Sequence, residues 1–325
     1  MLTEISKNLF YSHLLYEYKH GVNNNDIFFE TRSIVPYINE IVESIINSLK
    51  ENIRTLIKNK EDNVLEYNEK TINLNKNSFF ERISLTVNFH YTTKTSYSGG
   101  IKPLSSFVTT NNEIVFRPVI NINLNGSNFY DTIDTLSFAI GHELTHGYDY
   151  YQYFLKHGFP QDKTNIEKSG LSRYNKGMQS TNSLERAISS INYRLSQREL
   201  NAYIGQLAIE IKKYANEISN SKEALNVLYK TESFKTTYNY LENEINTIVY
   251  GNLNDNTKKD IIELTNKICN KNFTSYNQVI KYYFNRWYKW SEKYMTKASK
   301  IIYNIFEEYA EPIIYDNFGK KETLK

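Results

Sequence analysis

The chain has 325 residues, with 39 Lys+Arg, 36 Asp+Glu and a single cysteine, Cys269. One cysteine excludes an intrachain disulfide framework and a cysteine-based zinc site, and a formal net charge of +3 is too small to imply a nucleic-acid partner. With 40% hydrophobic residues the chain can build a core. It lacks a run of about 18 apolar residues that would span a membrane, and the segment after Met1 lacks the apolar stretch and cleavage site of a signal peptide. The expectation is a folded cytoplasmic protein, exported or packaged only by a route the sequence does not display.

Residues 4–19 suit a short helix. A longer one is predicted over 34–59, with Ser33 as N-cap and Pro36 in the first turn, where a missing N–H costs nothing. Ile38, Ile41, Val42, Ile45, Leu49, Ile53 and Leu56 recur at helical spacing and form its apolar stripe. The period then changes. Over 82–91, Ile83, Leu85, Val87, Phe89 and Tyr91 alternate with polar residues, the pattern of a half-buried strand. A weaker strand fits 71–75. Two more are expected at 105–110 and 113–124, joined through Asn111-Asn112, since asparagine tolerates the positive φ of a hairpin turn. Pro118 cannot donate to a ladder, so the second of these is expected at a sheet edge, or bulged.

From Tyr130 the pattern is helical: 130–156, 183–218, 221–231, 233–250, 257–269 and 276–310, with a Gly-containing loop at 157–182. In the last helix Tyr283, Trp287, Trp290 and Tyr294 form an aromatic stripe beside a basic one. That pattern reads as a core face with a solvated flank.

The helix over 130–156 carries Ile140-Gly141-His142-Glu143-Leu144-Thr145-His146-Gly147-Tyr148-Asp149. His142 and His146, at i and i+4, share one face, so both imidazoles can reach one Zn²⁺. Glu143 lies about 100° round the helix, where its carboxylate can act as general base on a water at the metal. Ile133, Leu136, Ile140 and Leu144 form a separate apolar stripe for packing on the sheet.

A catalytic zinc needs a third protein ligand and one open position. The helix over 183–218 offers Glu185, Glu199, Glu210 and Glu217. Glu199 is the assignment, because Ala202 one turn on allows a close approach of helices; Glu185 is next in line. Asp149, three residues past His146, is a candidate to accept a ring N–H from a ligating histidine.

Ile140–Asp149 resembles the active-site helix of the gluzincin metallopeptidases, most closely the neprilysin type, with Tyr148 in place of a phenylalanine. Glu199-Leu200-Asn201-Ala202-Tyr203 is similar to the family's E-x-x-A-D segment, with Tyr203 where the family carries the aspartate that orients the first histidine. Asn112–Pro118 is similar to the family segment that pairs with bound peptide. The resemblance implies Glu199 as third zinc ligand and a substrate strand at 113–124. The family's downstream oxyanion-stabilising histidine and arginine have no match, which leaves Arg286, Tyr282 and Tyr283 as candidates for that work.

The expected fold is α+β and helix-rich, zincin-like. A small mixed sheet would pack on the histidine-bearing helix within 1–156, followed by a helical subdomain over 157–325 that carries the third ligand. The expected function is zinc-dependent hydrolysis of a peptide or protein substrate. The alternative is a non-catalytic zincin scaffold kept for binding or assembly, for example in a virion.

Overall fold

A computed structural model describes residues 2–20, 35–70, 82–102, 107–110, 113–157, 171–218 and 221–309. Cα packing divides the chain into two compact units, Phe28–Phe159 and a helical unit made of Met1–Ile27 with Pro160–Lys325.

The first unit contains helix α2 (Val35–Asn59), strands β1 (Asn63–Lys70), β2 (Arg82–Tyr91), β3 (Ser96–Ile101), β4 (Phe107–Thr110), β5 (Glu113–Phe116) and β6 (Val119–Gly126), and helix α3 (Phe129–His157). Four strands form a mixed sheet in the order β1-β2-β6-β3. β1 and β3 run antiparallel to their neighbours, and β2 and β6 run parallel. β4 and β5 form a separate pair, from Phe107↔Phe116 to Thr110↔Glu113. This is the pairing a turn at Asn111-Asn112 demands, although those two residues lie outside the described ones, as does the strand expected at 71–75.

Alternation sorts the sheet into two faces. Ile83, Leu85, Val87, Phe89, Ile120, Ile122 and Leu124 are buried. The other face is polar: Asn88 Nδ2 donates to Asn123 Oδ1 at 3.0 Å, and Asn125 Nδ2 to Ser96 Oγ at 3.0 Å. Against the apolar side pack α2, through Ile38, Ile41, Val42, Ile45, Leu49 and Ile53, and α3, through Leu136, Ala139, Ile140 and Leu144, all buried. A Cβ on Gly126 would lie 2.1 Å from Thr132 Oγ1, so only glycine lets the first turn of α3 start this close to the end of β6.

The sheet differs from the sequence expectation in two ways. The strand read as 113–124 is two strands, β5 and β6, divided at Arg117-Pro118. β6 is not an edge: β2 and β3 take both its sides. Pro118 is accommodated because it precedes β6 and is asked only for its carbonyl, which accepts the Ser84 N–H at 2.9 Å. The edge beside β6 is β3, whose Ser-Tyr-Ser-Gly-Gly-Ile sequence shows no apolar alternation.

The helical unit holds α1 (Leu2–His20), α4 (Leu171–Met178), α5 (Ser183–Arg194), α6 (Gln197–Lys212), a short 3₁₀ turn (Ala215–Glu217), α7 (Ser221–Lys230), a π-helical turn (Phe234–Asn239), α8 (Tyr240–Tyr250), α9 (Asp255–Cys269) and α10 (Tyr276–Tyr309). α4 occupies part of what reads as a loop at 157–182. α1 belongs here rather than with the sheet, because it packs along α10. Ser6 Oγ secures it, donating to the buried Glu242 at 2.8 Å. The aromatic stripe of α10 is core: Tyr283, Trp287 and Tyr294 are fully buried and Trp290 nearly so. Trp290 stacks on Tyr294 with 5.2 Å between ring centroids. Among the described residues no helix is long and apolar enough to cross a membrane.

Candidate metal centre

Residues 139–148 of α3 are buried without interruption, a hydrophobic and polar stretch together. His142 and His146 stand one turn apart with ring centroids separated by 4.7 Å and planes at 87°. Thr145, between them, donates its hydroxyl to Gly141 O at 2.8 Å, so it needs no partner outside the helix. Glu143, 5% exposed, accepts the main-chain N–H of Ile101 on Oε2 at 2.9 Å. The last residue of β3 is thus hydrogen-bonded to the carboxylate between the histidines.

Glu199 is placed by a helix start that pattern reading runs through. The helix expected over 183–218 breaks at Leu195-Ser196. Ser196 takes an extended conformation and its hydroxyl accepts the Glu199 N–H, making it the N-cap of α6. The signal is present in the sequence as Ser196-Gln197-Arg198-Glu199, a capping-box spelling. The Ser196 N–H donates to Tyr193 O at 3.0 Å. Glu199 is 2% exposed, which excludes a solvated surface carboxylate.

The other carboxylates of the segment are engaged elsewhere. Glu185 pairs with Lys267 at 2.8 Å and accepts Ser180 Oγ at 2.7 Å, and the bond from Lys267 leads in holding its carboxyl below the usual range. Glu217 pairs with Lys230. Glu210 is buried against the Ser233 N–H and Gln206. His142, His146 and Glu199 form a buried group whose ligand atoms all lie within 4.8 Å of one another, and this group could hold a metal ion.

The remaining candidates separate by environment. Asp149 is partly exposed, unlike the two histidines it follows. Tyr203 is buried, one turn after Glu199; its hydroxyl accepts from Arg194 at 3.2 Å and its carbonyl from Ser233 Oγ at 3.0 Å. Arg286, Tyr282 and Tyr283 lie in a network inside the helical unit. Arg286 donates to Asn192 Oδ1 and to the Tyr282 hydroxyl, while Asn192 Nδ2 donates to the Tyr283 hydroxyl at 2.9 Å. Cys269 joins the same network through Asn192 Oδ1.

No protein-family model matches this sequence, and neither a curated protein nor a solved structure matches it.

Proposed function

We propose that the chain is a zinc-dependent endopeptidase. The observation that carries this reading is the buried His142–His146–Glu199 group with Glu143 set between its two histidines. Two imidazoles and one carboxylate are the donor set of a hydrolytic zinc site, which keeps its remaining position open; a structural site commonly uses four protein ligands. A Zn²⁺ ion in that group would supply Lewis acidity for a peptide carbonyl and for an attacking water.

The protein's own part falls to Glu143. Its carboxylate takes a proton from the attacking water and passes it to the leaving amine, the general-base and general-acid halves of one hydrolysis. Burial removes competing water from around that carboxylate. The side of β3 turned away from β6 is an edge on which an extended peptide would add as a further strand; within the segment 113–124 expected from the sequence, β6 has both its sides taken.

The test is metal content with hydrolysis. The wild-type chain should bind one zinc per molecule, cleave an unstructured protein such as casein, and lose that cleavage to a chelator. His146→Ala should bind no stoichiometric zinc. Cleavage that survives complete removal of metal would defeat the proposal.

A further inference from the structure

We propose that the main-chain N–H of Ile101 is a positioning group for Glu143, tying the base to the end of the edge strand; this rests on the peptidase reading above. Lys102 donates to Val119 O at 2.9 Å, so Lys102 faces β6. Ile101, opposite Ile120 and adjacent to that bonded pair, therefore turns its N–H away from the sheet. An outward N–H on an edge strand is normally left to water or to an added strand. This one instead reaches Glu143 Oε2 at 2.9 Å, within the packing of α3 on β3.

Two consequences follow for the chemistry. A glutamate side chain rotates freely about its single bonds, and a proton transfer needs its carboxylate held to a fraction of an ångström. With Oε2 anchored, Oε1 is left to exchange the proton. A peptide added along β3 also finds its last outward N–H already taken. Its ladder extends over the preceding outward residue, Gly99, and ends where the base begins, so one hydrogen bond sets the peptide's register against Glu143.

Ile101→Pro isolates the effect. It removes this N–H without breaking a bond of the β3–β6 ladder, which does not use it, and the preceding Gly100 has no Cβ to clash with the proline ring. Ile101→Ala keeps the N–H while trimming the side chain. In the zinc-loaded chain acting on a fluorogenic peptide, Ile101→Pro should have a kcat ~10-fold or more below that of Ile101→Ala, which keeps the N–H, with the zinc content of the two variants equal. Amide hydrogen exchange gives a readout independent of activity and of metal. The Ile101 amide should be protected in the wild-type chain and exposed in Glu143→Ala, with the Lys102 amide protected in both. If Ile101→Pro does not fold, this comparison decides. Equal kcat in the proline and alanine variants, or a fast-exchanging Ile101 amide in the wild-type chain, overturns the inference while leaving the peptidase reading intact. Absence of hydrolysis by the wild-type chain overturns the peptidase reading, and this inference with it.

Discussion

Burial, more than any hydrogen bond, sets the acidity of Glu210. Taking its carboxyl out of water raises the pKa to about 7, against the opposing pull of Gln206 and of the Ser233 N–H. The folded chain therefore holds this proton where the unfolded chain, titrating near 4.5, has released it. The resulting stability is complete below the unfolded value and is lost as pH rises through about 7. That loss is on the order of 3 kcal/mol. Glu210→Gln removes the titration but keeps an acceptor for Ser233. Urea melts at pH 5 and pH 8 should show the wild-type chain losing stability between them, and the variant losing less by about that amount. Parallel curves for the two proteins would contradict the assignment. The contrast with Glu199 shows what residue types alone convey. Four glutamates in 183–218 are equivalent as letters. Ala202 singles out Glu199, but the partners of Glu185, Glu210 and Glu217 (Lys267, Ser233 and Lys230) come from distant positions that no local pattern names.

At the scale of elements, Ser196 fixes where the helix that carries Glu199 begins. It starts α6, and Glu199 stands in that helix's first turn. Ser196→Ala should cost about 1 kcal/mol of stability through the lost cap, and it should also weaken zinc binding, because the turn that carries Glu199 frays. Chemical denaturation and competition with a chromophoric chelator would measure the two effects. Lost stability with unchanged zinc affinity would separate the cap from the site. Helix α2 and strand β2 were legible because one strong period runs their full length; β2 spans Arg82–Tyr91, as its alternation predicts. The break at Leu195-Ser196 is written in the sequence twice over: Leu184, Ile188, Ile191 and Leu195 step by 4, 3 and 4, as do Leu200, Ile204, Leu207 and Ile211, but a five-residue step separates the two runs, and Ser196 supplies the cap there. β3 is not written this way. An edge strand of Ser, Tyr and Gly is defined by its ladder to β6 and needs no apolar face of its own.

At the scale of the whole molecule, the grouping of the chain depends on contacts remote in sequence. α1 joins the helical unit through α10 and through Ser6 and Thr3 on Glu242, bonds that span most of the chain. A contiguous division near residue 156 misses this, because neither end of those contacts announces its partner. The placement of the histidine pair was legible, since a spacing of four on a single helix sets the two rings one turn apart.

The central claim is that Glu143 does chemistry while the metal is held by other residues, and Glu143→Gln addresses it most directly. The substitution preserves the size of the side chain and leaves an amide oxygen to accept the Ile101 N–H, but it removes the base. Zinc content and peptide hydrolysis should be measured on the same preparation. The account predicts one zinc per chain, as in the wild type, with kcat lowered at least ~10²-fold. A variant that hydrolyses peptide at the wild-type rate, or that loses its zinc, would contradict it.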